Sequence, residues 1–583
     1  MTRLTRTGHT MARKVSKRLT AMARERLTPE QKRRIRKVQR FVLGHHIASR
    51  SRRGILVARA SFGAGAYREA ARQIRHVLSR DPTHPGALEL ASRIAAKQGA
   101  FTEAATYAVR RVESTQDPRH WKAARKLVGR IRETDPRWQP VIGPRKADHP
   151  YASGSSPIGS AAAPATASRT GRILYLVKES RPFLHNGFCT RSHETLRALV
   201  RSGRDMLGVT MPGFPGVLGV DEAPQESVVE EVTYRHLLPA AGRQLAALGQ
   251  DEYVELTARM LAGVVARERP ALLHVSSGHR GFESALAGNA VARWAGIPWI
   301  YEVRSFFETT WTDDPVLAEQ GEYYERRFAT ETRMMQAADL VVTLSGPMRD
   351  EIVERHGIPA EKVRVIGNAV DISRFVPKPR DEALRRRLGL DGSFTLGYVS
   401  NLSHPREGQE VLIEAIAKLR AAGHAVTGLI VGDGPRRASL ERLAAKRGVS
   451  RRIVFTGSVP FDEVASYYAQ IDLFVVPRVN DRAARMVSPL KPFEAMAMRV
   501  PLLVADLPAL REIVADGERG HTFRTGDSTS LAEAAARLLD DDMERKRLVD
   551  VAASWVATER SWTSVAAAFG EVYDALNHGA PTC

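Results

Sequence analysis

From Arg172 onward, short apolar runs alternate with stretches of helical period, and this alternation limits the fold more than any other feature of the chain. Runs at 173–177, 272–275, 299–303 and 340–344 read as buried strands, and 190–200, 282–294 and 323–337 read as the helices between them. The pattern resumes at 395–399, 428–431, 453–455, 473–476 and 502–505. Strand and helix in strict turn predict parallel sheets covered by helices on both faces. The two blocks meet near 374–387, so the expectation is an α/β chain of two doubly wound domains. A ligand is then expected between them, at the C-terminal ends of strands.

The N-terminal part is built differently. Gly65-Ala66-Tyr67-Arg68-Glu69-Ala70-Ala71 returns 34 residues later as Gly99-Ala100-Phe101-Thr102-Glu103-Ala104-Ala105, and Asp81-Pro82 and Asp117-Pro118 close the two units. That period is the signature of stacked helical hairpins, and the small and aromatic positions resemble the second helix of tetratricopeptide repeats. A Ser-, Ala-, Pro- and Gly-rich stretch from about 143 to 170 buries too little surface to fold and reads as a flexible linker. The expected divisions are a basic helical segment at 1–60, repeats at 61–138, a linker at 139–170, and two domains at 171–375 and 376–575.

Charge and cysteine content narrow the function classes. The net charge is +22, but residues 1–60 alone hold about 18 Lys and Arg against Glu25 and Glu30, roughly +16. The rest needs no special partner. For the basic segment, peripheral contact with an anionic membrane is favoured over nucleic acid, because Phe41 is its only aromatic residue for base stacking. Two cysteines, Cys189 and Cys583, make neither a disulfide framework nor a four-ligand zinc site. No apolar run is long enough to span a bilayer, and no apolar stretch follows the basic start, so a cytoplasmic chain is expected, at most peripheral at the inner membrane face.

Three motifs sit where such a fold places chemistry. Ser180 to Arg191 leads from the first strand into a helix through Asn186-Gly187, where glycine lets the backbone approach a ligand and free helical N–H groups attract anions. Gly432-Asp433-Gly434-Pro435 follows the strand ending at Val431. The run Ser488-Pro489-Leu490-Lys491-Pro492-Phe493-Glu494-Ala495-Met496-Ala497 is the most informative. Lys491 stands where a helix begins, a place a cation takes against the dipole, which suggests a bound anion such as a diphosphate. Glu494, one turn in, can accept from ribose or sugar hydroxyls. Glu302 and Arg304 end a strand, in the right place for a site, and their charges are expected to meet other partners rather than each other.

Taken in order, these segments resemble glycosyltransferase family 4, over about residues 172–575. The resemblance also rests on Gly367-Asn368-Ala369-Val370-Asp371 through Phe375, where the domains join, and on Gly397-Tyr398-Val399-Ser400-Asn401-Leu402 with Glu407-Gly408. It implies a GT-B fold of two Rossmann-like domains, acceptor-side first and donor-binding second. The implied reaction is retaining transfer from a nucleotide-diphosphate sugar to a hydroxyl on a carbohydrate or lipid-linked acceptor, in cell-surface polysaccharide or glycoconjugate synthesis.

The resemblance also assigns roles. Ser400, Asn401, Arg406, Gly432, Gly434, Ser488, Lys491 and Glu494 would bind the donor, and Gly187, Arg191, Glu302 and Arg304 would lie on the acceptor side. His274, Lys491 and Glu494 would be catalytic. No cofactor or essential metal is expected, and a protein partner at the helical repeats is left open. Two departures stand out. The family's first glutamate, eight positions before Glu494, is Met486 here, and His274-Val275-Ser276 keeps one histidine of a His-x-His pattern. The missing glutamate motivates an alternative, a catalytically degenerate sugar- or nucleotide-binding scaffold.

Overall fold

The computed structural model describes residues 50–142 and 170–577, apart from 221, 240, 241, 313, 315, 316 and 391. Residues 1–49 of the expected basic segment and 143–169 of the linker expected at 139–170 lie outside the described residues. The chain divides into two compact units. One comprises the residues up to Ile142 together with Ala241–Ala258 and Phe307–Arg333, and the other holds the remainder.

Among the described residues up to Ile142, five helices follow one another: Arg50–Gly63, Tyr67–Leu78, Pro85–Lys97, Phe101–Thr115 and Pro118–Glu133. The 34-residue repeat has a backbone cause. Gly65 and Gly99 both take positive φ, +75° and +76°, and each turns the chain into the next helix. Equivalent small residues, Ala70 and Ala71 in one helix and Ala104 and Ala105 in the other, are buried, which lets neighbouring helices pack closely. Asp117 caps the last helix by accepting from the Arg119 N–H at 2.9 Å, with Pro118 at its first position.

The two inserted segments pack onto this helical stack, a pairing the sequence reading did not anticipate. Phe101 lies against Tyr323 with ring centroids 4.2 Å apart, and the Arg130 guanidinium sits 5.1 Å over the Phe101 ring. Arg125 pairs with Glu252 at 2.6 Å and Arg132 with Asp251 at 3.2 Å. The Thr102 N–H donates to Glu322 at 3.1 Å. A Cβ on Gly129 would stand 2.6 Å from the Asp251 carboxylate and 2.7 Å from the Gln250 nitrogen, so the approach depends on glycine.

The second unit contains two sheets. The first has the order β3-β4-β2-β1-β5-β6-β7-β8. Its strands are β1 Ile173–Val177, β2 Met206–Thr210, β3 Glu226–Val229, β4 Val232–His236, β5 Leu272–Ser276, β6 Trp299–Val303, β7 Leu340–Thr343 and β8 Val363–Val365. Only the β3–β4 pair is antiparallel. The second sheet is parallel throughout, in the order β11-β10-β9-β12-β13-β14. It consists of β9 Phe394–Val399, β10 Val426–Val431, β11 Ile453–Phe455, β12 Leu473–Val476, β13 Leu502–Ala505 and β14 His521–Phe523. Most strands of both sheets are buried along their length, which is why they read as continuous apolar runs.

In each sheet the chain winds outward from a first strand and then returns beside it. The reversal falls between β1 and β5 in one sheet and between β9 and β12 in the other. Loops diverge at such a switch point and leave a crevice at the strands' C-terminal ends. The last helix, Trp562–Asn577, joins the core of the first sheet although it follows the second in sequence. Its Trp562, Val565, Phe569 and Tyr573 are buried with Ile173, Tyr175, Leu272 and Ile300.

The packing of the inserts is open to a direct check. Gly129→Val should destabilise the first unit by about 1–3 kcal/mol through overpacking, read as a lower unfolding midpoint. Gly63→Ala, whose added Cβ meets nothing within 4 Å, should leave that midpoint in place. Equal behaviour of the two variants would refute the close approach.

Candidate functional site at the two switch points

On the acceptor side the loop after β1 ends at Asn186, which caps the helix Gly187–Arg201. Its side-chain oxygen accepts from the Cys189 N–H at 3.0 Å, and its amide donates to Glu179 at 2.6 Å. Gly187 is the first helical residue, and a Cβ there would lie 3.9 Å from Leu490 of the second sheet's half. The glycine loop is thereby brought against the residue that precedes Lys491.

Behind this loop lies a buried polar network. The Glu302 carboxylate accepts from Arg191 Nε at 2.8 Å, from Arg304 Nε at 2.7 Å and from the Tyr175 hydroxyl. Arg304 also donates to the Phe188 carbonyl at 3.2 Å and to Ser192 Oγ at 2.8 Å. Arg191 donates to the carbonyls of Ile366 and Gly367, both at 2.7 Å, and to the Asn368 side-chain oxygen at 3.2 Å. Burial alone would raise the Glu302 carboxyl, but the Arg304 and Arg191 guanidiniums outweigh it and hold the group below the usual carboxylate range.

The network corrects one expectation. Glu302 and Arg304 do pair with each other: Arg304 lies just past the end of β6, and its guanidinium reaches the carboxylate two residues back at 2.7 Å. Arg191, Glu302 and Arg304 are at most 3% exposed, and through their hydrogen bonds they hold the loop and the crossover segment at 366–368. His274 is also fully buried. It stacks on Tyr175 at 3.9 Å and shares a hydrogen bond of 2.9 Å with the Tyr573 hydroxyl. Burial brings its imidazole down to about 3, so it packs there as a neutral group.

On the donor side Ser400, Asn401 and Arg406 follow β9, and Gly432 and Gly434 follow β10. Ser400 is buried, and its hydroxyl oxygen accepts from Gln409 at 3.0 Å; the Asn401 side chain is exposed. Gly432 and Gly434 have φ of +136° and +158°. A Cβ on them would stand 2.0 Å from the Ser400 carbonyl oxygen and 2.6 Å from the Leu402 carbonyl carbon. Their lack of a side chain is therefore required by the neighbouring loop.

Glu407, beside Arg406, turns inward. It accepts from the Tyr398 hydroxyl at 2.5 Å and pairs with Arg478 at 3.2 Å. Burial would raise it, but Arg478 prevails and keeps it ionised. Arg478, which also donates to the Val487 carbonyl at 3.1 Å, was not singled out from the sequence; its place two residues beyond β12 was the available signal.

Lys491 opens the helix Lys491–Ala497 and is half-buried. Among the described residues it has no hydrogen bond or ion pair, although it is near enough to Glu407 to help hold that carboxylate ionised. Glu494 is 8% exposed and accepts from the Tyr468 hydroxyl at 2.6 Å. Ser488 is buried, with its carbonyl bound by the Asn368 amide at 2.7 Å. Among the described residues, no group of three or more His, Cys, Asp or Glu side chains could hold a metal ion, and no helix is long and apolar enough to cross a membrane.

Apart from β1, the strands of both sheets lie in parts of the chain that match known families. Residues 186–369 match the glycosyl transferase 4-like domain, and residues 393–541 match the glycosyl transferases group 1 domain, together more than half of the chain. The chain belongs to the group 1 glycosyltransferases. Neither match reaches the helices at 50–142.

Among curated relatives of this family, the 2-deoxystreptamine glucosyltransferase of Streptomyces kanamyceticus is 27% identical over 369 residues, covering 62% of this chain and 92% of that protein. Sucrose-phosphate synthase from Thermosynechococcus elongatus has a similar structure, with a TM-score of 0.57 and 19% identity over 70% of this chain and all of that one. The Anabaena HepE protein, solved in complex with UDP-glucose, has a TM-score of 0.52 and 20% identity over 69% of this chain and 99% of its own. Both structures share the GT-B arrangement of two sheets.

His274 gives the site a pH signature. An imidazole that titrates at 6.5 when unfolded and at about 3 when folded contributes stability that is complete above 6.5 and is lost as pH falls toward 3. His274→Asn should be less stable than wild type near neutrality, and its melting temperature should fall less than that of wild type between neutral pH and about pH 5. A steeper fall in the variant would mean that His274 is charged in the folded protein.

Proposed function

We propose that this glycosyltransferase moves a sugar from a nucleoside diphosphate sugar to an acceptor hydroxyl, with retention at the anomeric carbon. The observation that carries the reading is Lys491. It is a half-buried cation without an ion-pair partner among the described residues, at the switch point, while the nearby acid Glu407 is already neutralised by Arg478. When the bond from the anomeric carbon to the diphosphate breaks, negative charge grows on the leaving oxygen. A positioned cation stabilises that charge without waiting for solvent to reorganise.

Arg406, partly exposed and 3.7 Å from Glu407, would share the diphosphate with Lys491, so the reading assigns no step to a metal. Asn401, Gly432, Gly434 and the backbone near Ser488 would shape the donor loop. Glu494, steadied by Tyr468, would accept from ribose or sugar hydroxyls. The acceptor hydroxyl would enter by the Gly187 loop. UDP-glucose is the first donor to test, because HepE was solved with it and the Streptomyces kanamyceticus relative is a glucosyltransferase.

A carbohydrate or lipid-linked acceptor in cell-surface polysaccharide or glycoconjugate synthesis fits the same reading, and the basic start of the chain would favour an anionic membrane surface. A second reading, donor binding without turnover, rests on Met486 in place of the family's glutamate.

The test is donor binding and product formation with UDP-glucose, GDP-mannose and ADP-glucose, for wild type and Lys491→Ala. A lost charged hydrogen bond should weaken donor binding about 10–100-fold, with Lys491→Arg recovering part of it. Binding that is intact in wild type but never followed by sugar release, with any acceptor mixture, would favour the second reading. Unchanged affinity in Lys491→Ala would remove Lys491 from the site.

A further inference from the structure

The segment that delivers Lys491 is tied mainly to the other sheet's half. After β12 the chain forms the short helix Arg482–Met486, and one helix of the first half, Gly346–Glu354, grips it at both ends. At its start Arg482 pairs with Glu351 at 2.6 Å, the side chains being 12% and 10% exposed. At its end the Met486 carbonyl accepts from the Ser345 hydroxyl at 2.6 Å. Ser345 is also the cap of the gripping helix, accepting from the Met348 N–H at 3.3 Å. Two residues on, the Ser488 carbonyl accepts from Asn368 at 2.7 Å, and Asn368 is itself held by Arg191 at 3.2 Å. The second half reciprocates where Glu512 accepts from the Gly346 N–H at 2.9 Å.

We propose that Ser345, Glu351 and Asn368 are positioning residues by which the acceptor-side half sets the donor site. The inference rests on reading Lys491 as the diphosphate cation. Buried carbonyls need donors, and those of Met486 and Ser488 find them across the crevice instead of in their own sheet. A desolvated ion pair is costly to leave half made, so Arg482–Glu351 admits few alternative paths for the segment. Lys491 is thus placed before the donor arrives, and less ordering remains for binding to accomplish. Donor affinity becomes a property of both halves in contact.

The experiment uses the full chain and measures binding of UDP-glucose, GDP-mannose and ADP-glucose together with the KM for donor and for acceptor. Glu351→Arg and Asn368→Ala should each weaken donor binding about tenfold or more, with the acceptor KM unchanged. The exchanged pair Glu351→Arg with Arg482→Glu should restore most of the loss. Unchanged donor affinity in the single variants, or no rescue by the exchanged pair, would overturn the proposal while leaving the donor reading standing. A rise in both KM values with a lower melting temperature would also overturn it, since that marks general loosening. If wild type binds none of the three probes, the donor reading itself fails and the proposal falls with it.

Discussion

The carboxylate of Glu302 is a negative charge with no access to solvent, and much of the site depends on how it is compensated. An isolated charge in such a place is not tolerated, whereas one met by two guanidiniums and a phenol is. Each partner then has donors left over, and those reach outward. Arg304 fixes the carbonyl of Phe188 and the hydroxyl of Ser192, at the start of the acceptor-side helix. Arg191 fixes 366–368, where the chain leaves the first sheet for the second. His274 and Tyr175 stack beside the carboxylate, and Tyr573 brings in the last helix of the chain. Three elements far apart in sequence take their places from one buried charge.

The donor side handles charge in the opposite way. Its internal acid, Glu407, is neutralised by Arg478 and Tyr398, while Lys491 is left without a protein partner among the described residues. The result is a local excess of positive charge that is only half-buried and so reachable from the crevice. Exposed pairs such as Arg119 with Asp117 look similar on paper, but in water they contribute little. What distinguishes Lys491 is its partial burial together with a nearby acid, Glu407, that is already paired with Arg478.

How far the fold could be read from the sequence follows from which forces leave a periodic trace. Strands buried on both faces leave continuous apolar runs, so β1, β5, β6, β7 and β9 through β13 were legible. The β3–β4 hairpin was not, because its turn is Glu230–Glu231, two residues at positive φ where glycine or asparagine would have signalled it. The stack's glycine repeat was visible, but its contact with 241–258 and 307–333 was not. Arg125 and Glu252 are 127 residues apart, and a pairing at that distance has no period. In the site, the sequence placed Lys491 and Glu494 in the first turn of a helix and Glu302 at the end of a strand, and they stand there. Whether a charged residue faces the crevice or the interior depends on its partners, and the partners of Glu302, Tyr175 and Arg191, come from other elements.

The departure at Met486 can be understood in the same terms. The path of this segment is held through the carbonyl of residue 486, which any amino acid carries, and through the side chains of Arg482 and Asn368. The side chain at 486 is itself 8% exposed and apolar. Replacing the acid of the family pattern therefore need not disturb the backbone; it removes a negative charge five residues before Lys491. A glutamate at this position would need a partner of its own, and the natural candidate would be a cation that is otherwise available to a ligand. With methionine there, no acid at 486 competes for the charge of Lys491, which under the proposed function stays available to a diphosphate.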